Sequence, residues 1–232
     1  MKTKLCAIAS SLVLVFAGSS AFAAGGTANS FQIGADNDAE ISQTMAGGGS
    51  FNADVTQFGK SNYGQITQTG YGNDNAKSTQ FGKDNHSYTT QVGSGTEKSD
   101  VTQVGYNNES TVGQNASGSA KATVWQLGAN NDSTIGQSGY GSSAAVVGQF
   151  GWRNQSDVQQ TVNGGSAGAR VLQVGYNNDS DITQSTGGAH MNASAAQFGA
   201  LNQSTITQSG SYNATASAVQ IGYGNMSHIT QN

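Results

Sequence analysis

The chain has 232 residues, of which 9% are charged and 33 are glycine, with no proline and a formal net charge of -4. That composition excludes an ordinary globular domain, which carries roughly a quarter charged residues, and collagen, which needs abundant proline and glycine at every third place. It also excludes a nucleic-acid binder, which needs a basic surface. What remains is a polar chain rich in Gly, Asn, Gln, Ser and Thr, a composition that aggregates as β-structure unless a repeat orders it.

At the start of the chain, Lys2 and Lys4 precede an apolar run from Leu5 to Ala17, and Ala21-Phe22-Ala23 follows as a small-x-small pattern. These are the three parts of a signal peptide, assigned to residues 1–23, with export as the consequence. The run is too short for a transmembrane helix, which needs about 20 apolar residues. Cys6 is the only cysteine and stands at the start of the apolar run, not after it where an acylated Cys would be, so neither a lipid anchor nor a disulfide is expected in the mature chain. Loss of Lys2 and Lys4 leaves seven basic residues against thirteen acidic ones. Residues 24–31 form a short N-terminal segment.

From residue 32 to 232 the pattern Gln-x-Gly-x-x-Asn-x-x-x-x-x-Gln recurs nine times. The Gln, Asn and Gln of successive units are Gln32, Asn37 and Gln43; Gln57, Asn62 and Gln68; Gln80, Asn85 and Gln91. Then come Gln103, Asn108 and Gln114; Gln126, Asn131 and Gln137; Gln149, Asn154 and Gln160. The last three units carry Gln173, Asn178 and Gln184; Gln197, Asn202 and Gln208; Gln220, Asn225 and Gln231. The first Gln recurs every 23 to 25 residues, while the two Gln of one unit always lie 11 apart. A constant arc must stack in register on its neighbours; the variable arc is a loop that can change length.

Both arcs read as strands. Residues two and four before the first Gln are small or β-branched, as in Ala122/Val124 and Ala145/Val147. Residues two and four after the Asn are usually Ser and Ile or Val, as in Ser133/Ile135 and Ser180/Ile182. This period of two selects one buried face, on which no charge appears at those positions. Charges such as Asp54, Asp100, Arg170, Glu109, Asp132, Asp157 and Asp181 take the other parity. The Gly-x-x-Asn between the arcs predicts a turn, with both Gly and Asn suited to positive φ. The expected fold is all-β: a β-solenoid of cross-β type with two strands per coil and nine coils of about 23 residues. At about 4.8 Å per coil the rod is roughly 43 Å long, and the stacked Gln and Asn form amide ladders, each bonding its copy one coil up.

These residues resemble the curlin repeat, Ser-x-x-x-x-x-Gln-x-Gly-x-x-Asn-x-x-x-x-x-Gln, over nearly all of the chain after residue 31. The curlins are subunits of curli, the functional amyloid fibres of Gram-negative bacteria. The resemblance implies a secreted subunit that polymerises with itself on the cell surface, serving adhesion and biofilm matrix. It also implies as partners a nucleating minor curlin and an outer-membrane secretion pore with accessory factors. The chain has more repeats than the familiar major subunit. The family's leading Ser, six places before the first Gln, is kept at Ser143 and mostly replaced elsewhere.

Chemistry at a site is not indicated. His86, His190 and His228 are scattered, and no Ser-His-Asp grouping can be drawn from them. No metal ligand set, cofactor motif or small-molecule substrate site is expected, and an enzyme is not. The residue after each first Gln is large and apolar, as in Phe58, Leu127, Phe150 and Ile221. Two readings stay open for it: a side chain folded over the turn, or an exposed apolar stripe along the rod. The leading expectation is the major curlin-type subunit; the alternatives are the minor, nucleating subunit and a monomeric secreted solenoid that binds something.

Overall fold

The computed structural model describes residues 26–232, so the expected signal peptide lies outside the described residues. Nine odd-numbered strands form one sheet: β1 (Thr27–Ala35), β3 (Ser50–Lys60), β5 (Asn73–Lys83), β7 (Thr96–Tyr106), β9 (Ser119–Ala129), β11 (Ser142–Trp152), β13 (Ser166–Tyr176), β15 (His190–Ala200) and β17 (Ala214–Tyr223). Nine even-numbered strands form the other: β2 (Asp38–Met45), β4 (Tyr63–Gly70), β6 (His86–Gly93), β8 (Glu109–Ala116), β10 (Asp132–Gly139), β12 (Gln155–Val162), β14 (Asp179–Thr186), β16 (Gln203–Gly210) and β18 (Met226–Gln231). Each odd strand and the even strand after it make one coil, numbered 1 to 9 below. All neighbours in both sheets are parallel, and the register is set by the repeat, as in Gln126↔Gln149 and Gln137↔Gln160. A parallel pair needs a long crossover; here the opposite strand of the coil is that crossover. The solenoid expected from the sequence is the fold observed. Residues 27–31, set apart in the sequence as an N-terminal segment, belong to β1.

Alternation decides which side chains enter the core. In coil 5, Ala122, Val124 and Gln126 point inward from β9, facing Ser133, Ile135 and Gln137 of β10. The sheets are therefore held by one thin layer of apolar side chains flanked by buried amides. That apolar layer is divided. Ala53, Val55, Ile66 and Ala76 form one cluster, and a second runs from Val101 to the last coil. Between them, in coils 3 and 4, the apolar places are taken by the buried Ser78, Thr89 and Ser99.

The turn after the first Gln differs from the sequence expectation at one place. The glycine has positive φ as expected, for instance Gly128 at 129°. A Cβ on Gly128 would collide with the carbonyl oxygen of Gly151 in the next coil, so stacking as well as φ requires glycine there. The second residue with positive φ is the one before the Asn, not the Asn itself: Asn107, Asn130, Arg153 and Leu201 take it at 52° to 57°. The Asn returns to extended backbone because its side chain is needed inside the coil.

Candidate functional site: amide ladders and buried acids

Three ladders of side-chain amides run the length of the described rod. Along the odd sheet, Gln32 Nε2 donates to Gln57 Oε1 at 2.7 Å, and the chain of bonds continues through Gln80, Gln103, Gln126, Gln149, Gln173 and Gln197 to Gln220 without a break. Along the even sheet the same bonds run from Gln43 through Gln68, Gln91, Gln114, Gln137, Gln160, Gln184 and Gln208 to Gln231. Every interior Gln but Gln208 also ties the two sheets together. Gln126 Nε2 donates to Glu109 O at 2.7 Å, and Gln114 Nε2 to Lys98 O at 3.0 Å.

The third ladder runs the other way. Asn62 Nδ2 donates to Asn37 Oδ1 one coil back, and the bonds repeat through Asn85, Asn108, Asn131, Asn154, Asn178 and Asn202 to Asn225. The backbone N–H of each Asn donates to the same oxygen, as from Asn131 N to Asn108 Oδ1 at 3.1 Å. The remaining amide proton holds the next glycine turn, as from Asn131 Nδ2 to Gly151 O at 3.1 Å. The sequence expectation of one upward direction for all amides is thus corrected for Asn. Its Oδ1 is committed to the backbone N–H of the following coil, which fixes the side chain the other way round.

Not every buried polar group is so well served. Ser87, Ser110, Ser133, Ser156, Ser180 and Ser204 stack in one buried column, and none of their hydroxyls has a hydrogen-bond partner. Successive copies sit a full coil apart, too far for one hydroxyl to reach the next.

Sequence reasoning missed a buried acidic pair. The inward parity of the odd strands extends six places before the first Gln, where coils 3 and 4 carry Asp74 and Glu97, 2% and 0% exposed. Asp74 Oδ1 accepts from Glu97 N at 3.3 Å, and Glu97 Oε1 accepts from Ala116 N at 2.8 Å. Asp74 Oδ2 and Glu97 Oε2 have no partner. Burial pushes the Asp74 carboxyl up to about 6. Burial, with the neighbouring Asp74 charge adding to it, pushes Glu97 up to about 7. The signal lies in the sequence at these two places six before the first Gln, whereas the alternation read from the sequence covers only four.

The outer surface answers the open question about the apolar stripe. Ile33, Phe81, Leu127, Phe198 and Ile221 are exposed, whereas Phe58, Val104, Phe150 and Val174 are half-buried, so the stripe is exposed at five of its nine places. Phe58 and Phe81 stack face to face at 4.8 Å. The histidines lie apart from one another: His86 packs beside Tyr63 and Tyr88, His190 Nδ1 meets Ser166 Oγ at 2.7 Å, and His228 is in the last strand. Among the described residues no three His, Cys, Asp or Glu side chains converge as a metal site would need. In comparison with known proteins, no protein-family model and no curated protein matches the chain.

Proposed function

We propose that this chain is a structural subunit that assembles with itself, end to end, into extracellular cross-β fibres of the curlin type, serving adhesion and biofilm matrix. The observation that carries this reading is the polarity of the ladders at the two outer coils. In coil 9, Gln220 Nε2 donates to Gln203 O and Gln231 Nε2 to Thr215 O. Every interior Gln makes such a bond or a ladder bond into the next coil, and in coil 9 the ladder bond is lacking. In coil 1, Gln32 and Gln43 offer Oε1 atoms that no described residue uses. The Asn ladder has the opposite ends: an Oδ1 acceptor on Asn225 and amide donors on Asn37. Coil 1 of a second copy, placed on coil 9, meets each donor with an acceptor. Two like ends brought together would set donor against donor, so growth is head to tail. The bare backbone edges of β17 and β18 favour the same addition. The partners that the curlin resemblance implies, a nucleating subunit and a secretion pore, belong to this proposal.

The test is to incubate the purified chain and record thioflavin fluorescence and fibre diffraction. Fibres with a meridional reflection at about 4.7–4.8 Å support end-to-end stacking. A chain that remains a monomeric solenoid at high concentration refutes it. Ile229→Pro removes a donor from the edge strand and should leave short, slowly growing rods.

A further inference from the structure

The two sheets carry opposite charges on their outer faces. Six of the described cations, Lys60, Lys77, Lys83, Lys98, Lys121 and Arg170, lie in odd strands, and no Lys or Arg lies in any even strand. The outward acids of the odd strands, Asp54 and Asp100, stack on either side of Lys77. The even strands instead hold seven acids, among them Glu109, Asp132, Asp157, Asp179 and Asp181. Within each face like charges are stacked in register: Lys98 on Lys121, Glu109 on Asp132, Asp157 on Asp181. Such pairs repel, and the rod does not answer them itself. Among the described residues the one ion pair is Lys83–Asp84, where β5 ends and its turn begins. Partial burial together with neighbouring carboxylates holds Asp132 and Asp181 above the usual carboxylate range.

The placement of the two bands is complementary. Lys98, Lys121 and Arg170 belong to coils 4, 5 and 7; the acids from Glu109 to Asp181 belong to coils 4 to 7. They sit at the same height on opposite sides of the rod. On the basic side, Gly148 leaves a shallow groove of about 610 Å³ between Trp125, Phe150 and Leu172, rimmed by Lys98, Lys121 and Arg170 with the single acid Asp100 among them. Trp125 is 51% exposed there. An apolar floor beside the cations would exclude water from pairs formed above it.

We propose that the basic, groove-bearing face of the odd sheet docks on the acidic face of the even sheet of a second copy, so that rods associate side by side. The partner is another copy because one partner must satisfy both faces. A polyanion would meet the basic face but would be repelled by the acidic one and by the net charge of the chain. The area suffices: strands of eight residues across nine coils cover roughly 1,100 Å², above the ~800 Å² per partner of a stable interface. The contact is heterologous and does not close, so it extends into flat bundles. It concerns the sides of the rod and needs no joining of the ends.

The test uses the full chain and two triple variants, checked for β-structure by circular dichroism. One reverses the basic face (Lys98→Glu, Lys121→Glu, Arg170→Glu); the other reverses the acidic face (Glu109→Lys, Asp132→Lys, Asp181→Lys). Electron microscopy reads bundle width, and sedimentation velocity reads sideways pairing of rods too short to be fibres. The unaltered chain should associate at about 0.01 M salt and separate at about 1 M, where the screening length falls from about 30 Å to about 3 Å. Each variant alone should lose association, and mixing the two should restore it, because one then has two acidic faces and the other two basic ones. Neutral replacements (Lys to Gln, Asp to Asn) serve where a reversal does not fold, with partial loss expected. Association that strengthens at high salt would assign the contact to the apolar stripe and overturn the proposal. So would association that survives reversal of the basic face, or its absence at every salt concentration. Loss of fibres with salt-sensitive pairing retained would refute end-to-end growth and leave this contact standing.

Discussion

Replacing Glu97 with glutamine should stabilise the protein above neutral pH and do little in acid. The folded state holds protons on Asp74 and Glu97 up to about pH 6 and about pH 7, whereas the ordinary values are 3.8 and 4.5. Both carboxyls are therefore raised, and between about pH 4 and pH 7 the folded chain binds more protons than the unfolded one. Stability is undiminished below that window, falls as pH rises through it, and is lowest above pH 7. Each displacement corresponds to roughly 3 kcal/mol, so the pair costs on the order of 6 kcal/mol when both are ionised. The glutamine amide of Glu97→Gln would keep an acceptor for Ala116 N and gain a donor to offer Asp74. The expected gain is about 3 kcal/mol at pH 8 and under about 1 kcal/mol at pH 4, read by urea unfolding in dilute solution. Hydrogen exchange should place the gain in β5 and β7, because a solenoid registers a local cost in the coils that bear it. Equal gains at pH 4 and pH 8, or a gain spread evenly over all coils, would refute the reasoning.

Gln126→Ala removes one rung from an unbroken ladder, leaving Gln149 Oε1 without its donor; a loss of roughly 3 kcal/mol and slower fibre growth are expected, measured by denaturation and by thioflavin kinetics. Val124→Asp puts a lone charge where the side chain is fully buried, and a soluble solenoid should not be recovered at neutral pH; normal yield of folded protein would contradict this. Ser133→Ala removes a buried hydroxyl that has no partner, so stability should be unchanged or up to about 1 kcal/mol higher, in contrast to Gln126→Ala measured in the same unfolding assay. Gly128→Ala brings a Cβ against the carbonyl of Gly151 and should part coils 5 and 6, visible as lost exchange protection at the turn.

Fold class was legible because a solenoid repeats one local problem nine times. Strand alternation and the constant spacing of Gln126 and Gln137 fixed which side chains face inward, and stacking of identical coils left one register in which Gln meets Gln. Where the buried arc begins was not legible. It lies beside the loop of variable length, and only pairing with neighbouring coils extends β5 and β7 back to Asp74 and Glu97. The direction of each ladder was equally hidden, since an amide is donor and acceptor at once. The backbone N–H of Asn131, pointing at Asn108, decides it for Asn, and contact with the opposite sheet decides it for Gln. The charges at Lys121 and Asp132 could be read as outward from parity alone. That they stand on opposite faces at one height follows only when the turn at Gly128 folds one strand back over the other.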